Sequence, residues 1–143
     1  MEGYLSVITN YKHRSTITRL RVSSHHLAIE TGRYEGLQRS DRICATCDLG
    51  VVDNEQHFLA ECQSTELDPL RLCLRQSLSL NDDSSRLEAS SVFRLTSLPL
   101  SNMDPPQRKH LQQISKLIHT MYEAKLESLE DIEERNNDSN NNV

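Results

Sequence analysis

A chain of 143 residues with 36% apolar and 4% aromatic residues, and no tryptophan, is bounded to a single domain with a modest core. Composition this thin in bulky side chains points to outside support for the fold, from a metal, a partner or a longer polypeptide. The formal charge of −5 is unevenly spread: residues 1–43 carry +3, residues 44–100 carry −5 and residues 101–143 carry −3. A phosphate-binding surface is therefore expected at the front of the chain, not at its middle or tail.

The opening run "YLSVIT" reads as strand or loop. A helix is expected from about Ser15 to Thr31, ended by Gly32 in the C′ position. Ile17, Leu20, Ser24, Leu27 and Ala28 share one arc of that helix. Val22 and Ile29 fall on its back, and His25 and His26 are expected on its surface. Lys12, Arg14, Arg19 and Arg21, followed by Arg33, Arg39 and Arg42 in the polar connection, are the candidate phosphate contacts.

Next comes "RICATCDLGVVDNEQHFLAEC", with the spacing Cys44-x2-Cys47-x9-His57-x4-Cys62. A C-x2-C turn brings two sulfurs to one point, and a second pair five residues apart closes the other edge of a tetrahedron. Gly50 and Asn54 supply turn residues in the zinc-knuckle-like loop between. Three thiolates and an imidazole suit one Zn²⁺ and leave no open position, so the expected role is structural. Two other readings stand beside it. A thioredoxin-type redox pair requires C-x-x-C at a helix start within a βαβ pattern, which does not flank Cys44. Incidental buried cysteines account for one or two thiols but not for the joint spacing with His57.

Downstream, Leu67, Leu70, Leu74, Ser77 and Leu78 recur at helical spacing, with Cys73 expected on the apolar side. "NDDSS" interrupts, and Ser85-Arg86-Leu87-Glu88 reads as a capping box for a short helix to about Leu98, stopped by Pro99. Asp104 and Pro105 then start the most regular helix, with an apolar stripe of Leu111, Ile114, Leu117, Ile118, Met121 and Tyr122 that weakens through Leu126, Leu129 and Ile132. Its acidic last turns oppose the macrodipole and predict fraying. "NNDSNNNV" has nothing to bury and reads as disordered.

The expectation is thus a mostly α, small irregular helical domain stapled by one structural Cys3His zinc site. Its parts are a basic segment with a helix (1–43), the zinc-binding loop (44–62), a helical region (63–135) and a disordered tail (136–143). No signal peptide or membrane-length apolar run is visible, so an intracellular setting, nuclear or cytoplasmic, is expected.

"HRSTITRLRVSSHHLAIETGRY", followed by R-x-C-x-x-C and E-x-HFLxEC, resembles the zinc-binding segment downstream of the reverse transcriptase in non-LTR (LINE-like) retrotransposon polyproteins. The likeness covers about His13 to Leu78. It implies Cys44, Cys47, His57 and Cys62 as zinc ligands and a place in a machine that handles RNA and DNA. The polymerase itself is not implied: the one Asp-Asp, Asp82-Asp83 in "SLNDDSSR", lacks the flanking apolar strands of a two-metal site. Nuclease carboxylates on a mixed scaffold and the deaminase His-x-Glu with Pro-Cys-x-x-Cys are also missing, so no enzyme is expected. Two functions remain in view: RNA or DNA binding through the basic N-terminal helix, or docking of a protein partner or second copy through the helix at 105–132. No membrane contact is expected.

Overall fold

The computed structural model describes residues 2–80 and 86–142. Six α-helices form among them: α1 (Tyr4–Val7), α2 (Tyr11–Arg21), α3 (Ala28–Tyr34), α4 (Asp68–Ser77), α5 (Ala89–Thr96) and α6 (Pro105–Asn141). Among the described residues no strand forms; two isolated antiparallel bridges, Glu2 with Pro99 and Ile43 with Val52, are the only sheet-like contacts. The helical expectation holds.

Helix α6 is the axis of the molecule, and α1, α2 and α4 pack on it. Its start is set locally. The Asp104 side chain accepts from Gln107 N at 2.8 Å while Gln107 Oε1 accepts from Asp104 N at 3.0 Å, a full capping box with Pro105 in the first turn. The stripe expected from the sequence then faces inward: Leu111, Ile114, Ile118, Met121 and Tyr122 are buried with Ile17 and Leu20 of α2 and Leu74 of α4. Phe58 meets Tyr122 edge to face at 6.1 Å.

Several expectations are corrected. The run "YLSVIT" is neither strand nor loop: Tyr4–Val7 forms a helical turn that buries Tyr4, Val7 and Ile8. The helix expected over 15–31 is two helices. Ser23 takes a left-handed φ of 53° and Ser24 N donates to Arg19 O, closing α2 with the hydrogen-bond pattern of a C-terminal cap. That break leaves Val22 exposed, buries Ile29 and turns His25 inward. His25 accepts from Leu27 N and donates from Nε2 to Glu55 at 2.8 Å. The same hydrogen bond holds the Glu55 carboxyl below the usual carboxylate range. Gly32 lies inside α3 instead of ending it, and its lack of a Cβ serves close packing, since one there would stand 2.6 Å from Arg42 Cγ.

Cys73 is exposed, not core. Helix α5 starts at Ala89, whose N–H donates to Gln56 Oε1 at 2.7 Å, so Gln56 of the cysteine loop does the capping. It ends at Thr96. Ser85 of the expected capping box, and Asp82-Asp83, lie outside the described residues. Helix α6 continues to Asn141 through the expected disordered tail, with residues 133–142 exposed. No Gly or Pro interrupts it, and Arg135 and Ser139 bond back to the carbonyls of Asp131 and Arg135. Among the described residues no helix is long and apolar enough to cross a membrane.

Candidate metal centre

The cysteine loop closes on itself before it meets the helices. Cys44 N donates to Val51 O and Asp53 N to Arg42 O, both at 3.0 Å, on either side of the Ile43–Val52 bridge. Gly50 turns the chain at φ 66°, a conformation costly for a residue with a Cβ. The second half of the site is a wide helical turn, His57–Glu61, with Cys62 N donating to His57 O at 2.7 Å. In an α-helix, residues five apart point about 140° from each other. The i→i+5 bonding of a π turn brings them back to one face. The x4 interval between His57 and Cys62 requires this distortion if both are to face one point. Asn54 starts the turn by accepting from His57 N at 2.8 Å.

The result is that one donor atom from each of Cys44, Cys47, His57 and Cys62 lies within 4.8 Å of the others. Zn–S bonds of about 2.3 Å and Zn–N bonds of about 2.0 Å imply tetrahedral edges of roughly 3.8 Å between sulfurs and 3.5 Å between sulfur and nitrogen. Cys44 Sγ and Cys62 Sγ are 3.8 Å apart, and Cys47 Sγ and His57 Nε2 are 3.4 Å apart. The donor set and its edges fit a single tetrahedral ion.

Electrostatics point the same way. The Cys44 thiol is held far below its ordinary value, first by the Cys62 thiol that donates to it, then by His57, Thr46 and Lys125. Cys62 is pushed up by the neighbouring Cys44 thiolate and by burial. Two sulfurs at this separation do not ionise together unaided, and a divalent cation lets both do so.

Around the donors sits a polar shell. The Lys125 ammonium, fully buried, donates to Cys44 Sγ at 3.0 Å, Thr46 Oγ1 at 2.9 Å and Asp53 Oδ1 at 3.1 Å. Burial alone would push Lys125 down, but Asp53 and the thiols of Cys44 and Cys62 outweigh it and hold it above the usual lysine value. Asp53 Oδ2 also accepts from Ala28 N at 3.1 Å and so caps α3. One carboxylate thus ties the cysteine loop, α3 and α6 together. Arg71, also buried, donates to the carbonyls of Phe58 and Leu59 in the π turn and to Asp68. Its value is lowered by desolvation, against the pull of Cys62, Asp68 and Cys47. His57 Nδ1 is buried without a hydrogen-bond partner.

Lys125 and Arg71 escaped the sequence reading. The signal available for Lys125 was its register: it follows Ile114, Ile118 and Met121 along the buried stripe of α6.

Of the seven basic residues of the N-terminal region, Arg14, Arg21, Arg33 and Arg42 have partners within the chain. Arg21 is paired with Glu2 and lies 5.0 Å from the Tyr4 ring centroid. Arg14 donates to Ile8 O at 3.1 Å, and Arg42 donates to the carbonyls of Ile29 and Leu37. Arg33 pairs with Glu30 at 2.9 Å while staying half exposed. Lys12, Arg19 and Arg39 are exposed. Phe58, the aromatic next to a ligand, is fully buried. No protein-family model, no curated protein and no solved structure matches the chain.

Proposed function

We propose that the chain is a non-catalytic module organised by one structural Zn²⁺ held by Cys44, Cys47, His57 and Cys62, that it derives from a retrotransposon reverse-transcriptase polyprotein, and that it binds RNA or DNA through its basic N-terminal helix. The observation that carries the zinc assignment is the convergence of four soft donors within 4.8 Å at edges matching a tetrahedral ion. Four protein ligands fill a tetrahedral ion and leave no open position for substrate, which favours structure over chemistry. The shared spacing and the basic helix before it support the retroelement origin. Nucleic-acid binding is supported by charge: residues 3–29 contain no Asp or Glu.

Around the donors, a net charge of about −1 from three thiolates and a dication is met by the Lys125 ammonium, itself shared with Asp53. The centre therefore repels phosphates less than its sequence suggests, but it offers them no donor. The competing reading, docking of a protein through the helix at 105–132, has a narrower surface to work with. Leu111, Ile114, Ile118, Met121 and Tyr122 are spent on the chain's own core, leaving Leu126, Leu129 and Ile132 half-buried.

Native mass spectrometry of the full chain, with and without a chelator, tests the zinc reading and reports the oligomeric state in the same spectrum. One zinc per chain is expected, lost on chelation together with a broadening of the charge-state distribution. A metal-free protein with a narrow, folded distribution would sink it.

A further inference from the structure

We propose that the surface shared by α2 and the first half of α6 binds single-stranded nucleic acid, with Lys12, Arg19, Lys109 and Lys116 on the phosphates and Tyr11 beneath a base. This rests on the nucleic-acid reading above and moves its interface from one stretch of sequence to two helices that are a hundred residues apart.

The two helices are joined side by side. Thr16 Oγ1 lies 2.7 Å from His119 Nδ1, the His13 and His119 rings are 5.1 Å apart, and Gln112 donates to Val7 O at 2.8 Å. An open cleft of about 300 Å³ borders this seam, lined by Asn10, His13, Lys109, Gln113 and Lys116. A second, of about 290 Å³, also borders it, lined by Tyr11, Lys12, Arg19, His119 and Glu123. Neither helix brings an acid to this face before Glu123, midway along α6. Residues 105–122 of α6, like residues 3–29, contain no Asp or Glu, and Glu123 is the first, 4.0 Å from His119. In a chain of net charge −5 that is a segregation of charge, not an average.

The cations are arranged in two rows. Lys109 and Lys116 are two turns apart on α6, as Lys12 and Arg19 are on α2, which is about 10.5 Å in each case. All four are exposed. His13 is held below its ordinary value by burial and by the nearby His119 and Lys116, so the fixed charge at neutral pH belongs to the lysines and the arginine. Tyr11 stands at the head of α2 with 72% of its surface exposed, its ring 6.0 Å from the Arg14 guanidinium. An aromatic left in water beside a cationic row offers a π-face that a splayed base can use and a paired base cannot. Because α2 lies against α6 instead of projecting, the face suits a strand running over it, not a helix entering a duplex groove.

The test measures fluorescence anisotropy of the full, zinc-loaded chain with labelled single-stranded RNA, single-stranded DNA of the same sequence, and the duplex, each of about 20 nucleotides to exceed a typical site size. Both single strands are expected to bind, and better than the duplex. Lys109→Glu with Lys116→Glu is expected to weaken binding by at least about tenfold and to flatten the slope of log K against log salt by about 1.4, as two lost phosphate contacts would. Lys12→Glu with Arg19→Glu is expected to do the same, and Tyr11→Ala to cost about tenfold on single strands. Zinc content and helicity are measured on each variant, with Lys109→Gln and Lys116→Gln as gentler substitutes where charge reversal disturbs folding. If the α2 pair abolishes binding while the α6 pair leaves it unchanged, the shared surface is overturned but the nucleic-acid reading stands. Equal binding of the duplex with a silent Tyr11→Ala overturns the single-strand assignment. Failure of the wild-type chain to bind any of the three sinks the underlying reading.

Discussion

The seam along α6 and the corner at its centre are both buried, but they are held by opposite means. In the seam, Ile17, Leu20, Leu74, Ile114, Ile118 and Met121 exclude water, with only small hydroxyl side chains such as Thr16 and Ser115 buried beside them. Each contributes in rough proportion to its area, and losing one leaves the rest in place. At the corner the buried side chains include Cys44, Cys62, His57, Asp53, Lys125 and Arg71, each of which depends on a named partner. Low aromatic content therefore does not mean a missing core, since aliphatic residues supply the seam. What the seam cannot do is organise residues 42–62, which contain no regular helix before the π turn. That task falls to the donors.

The comparison breaks most sharply at the donors themselves. Cys62→Ser replaces a soft sulfur with an oxygen that ligates zinc poorly, and it leaves the rest of the corner paired to an ion no longer tightly held. Structural zinc contributes an apparent binding energy of about 10–16 kcal/mol, as much as the whole stability of a typical domain, about 5–15 kcal/mol. Loss of cooperative thermal unfolding by circular dichroism is expected, alongside loss of bound zinc. An unchanged melting curve would show that the seam carries the fold alone.

Next in size is Lys125→Met. The methionine fills much the same space, but Asp53 keeps its buried charge and Cys44 loses a donor. Breaking a buried ion pair by removing one partner costs about 3–5 kcal/mol. Lys125→Met with Asp53→Leu is expected to recover only part of this, because Asp53 also caps Ala28 of α3. Urea denaturation of the three proteins checks the order. A double variant as stable as wild type would mean that the cap contributes nothing.

What the sequence revealed was mostly local. The Asp104 cap with Pro105 after it and the Cys44-x2-Cys47 and His57-x4-Cys62 intervals concern residues close together in the chain, so their geometry follows from spacing. What it hid depends on distant partners. The break at Ser23 is fixed by His25 reaching Glu55, thirty positions on, and nothing in "VSSHHLA" announces that. The register of Lys125 hints at burial, but its role is invisible until Asp53 and Cys44 are placed beside it. The partners of the basic residues were hidden for the same reason. Proximity in sequence grouped Arg14, Arg21 and Arg42 with the other cations, and what it could not show is that Glu2 and main-chain carbonyls partner them within the chain. The helical tail was hidden differently: its residues touch little, and the absence of Gly and Pro outweighed an unfavourable charge pattern.

The smallest effect lies in the seam, and it sharpens the contrast by what it leaves alone. Ile118 is fully buried on α6, one turn after Ile114 and seven residues before Lys125. Ile118→Ala keeps α6 helical, since alanine is the better helix former, and removes only packing. A cavity of that kind costs about 2–5 kcal/mol, less where neighbours close in. The two changes sit about 10.5 Å apart on the same helix, far enough for their costs to add within about 0.5 kcal/mol if the regions act independently. Ile118→Ala is therefore expected to lower the urea midpoint with zinc stoichiometry unchanged, and its cost to add to that of Lys125→Met. If the alanine variant also gives up its metal, or the pair departs clearly from additivity, then seam and corner are one cooperative unit and α6 transmits the state of the donors to the helices packed along it.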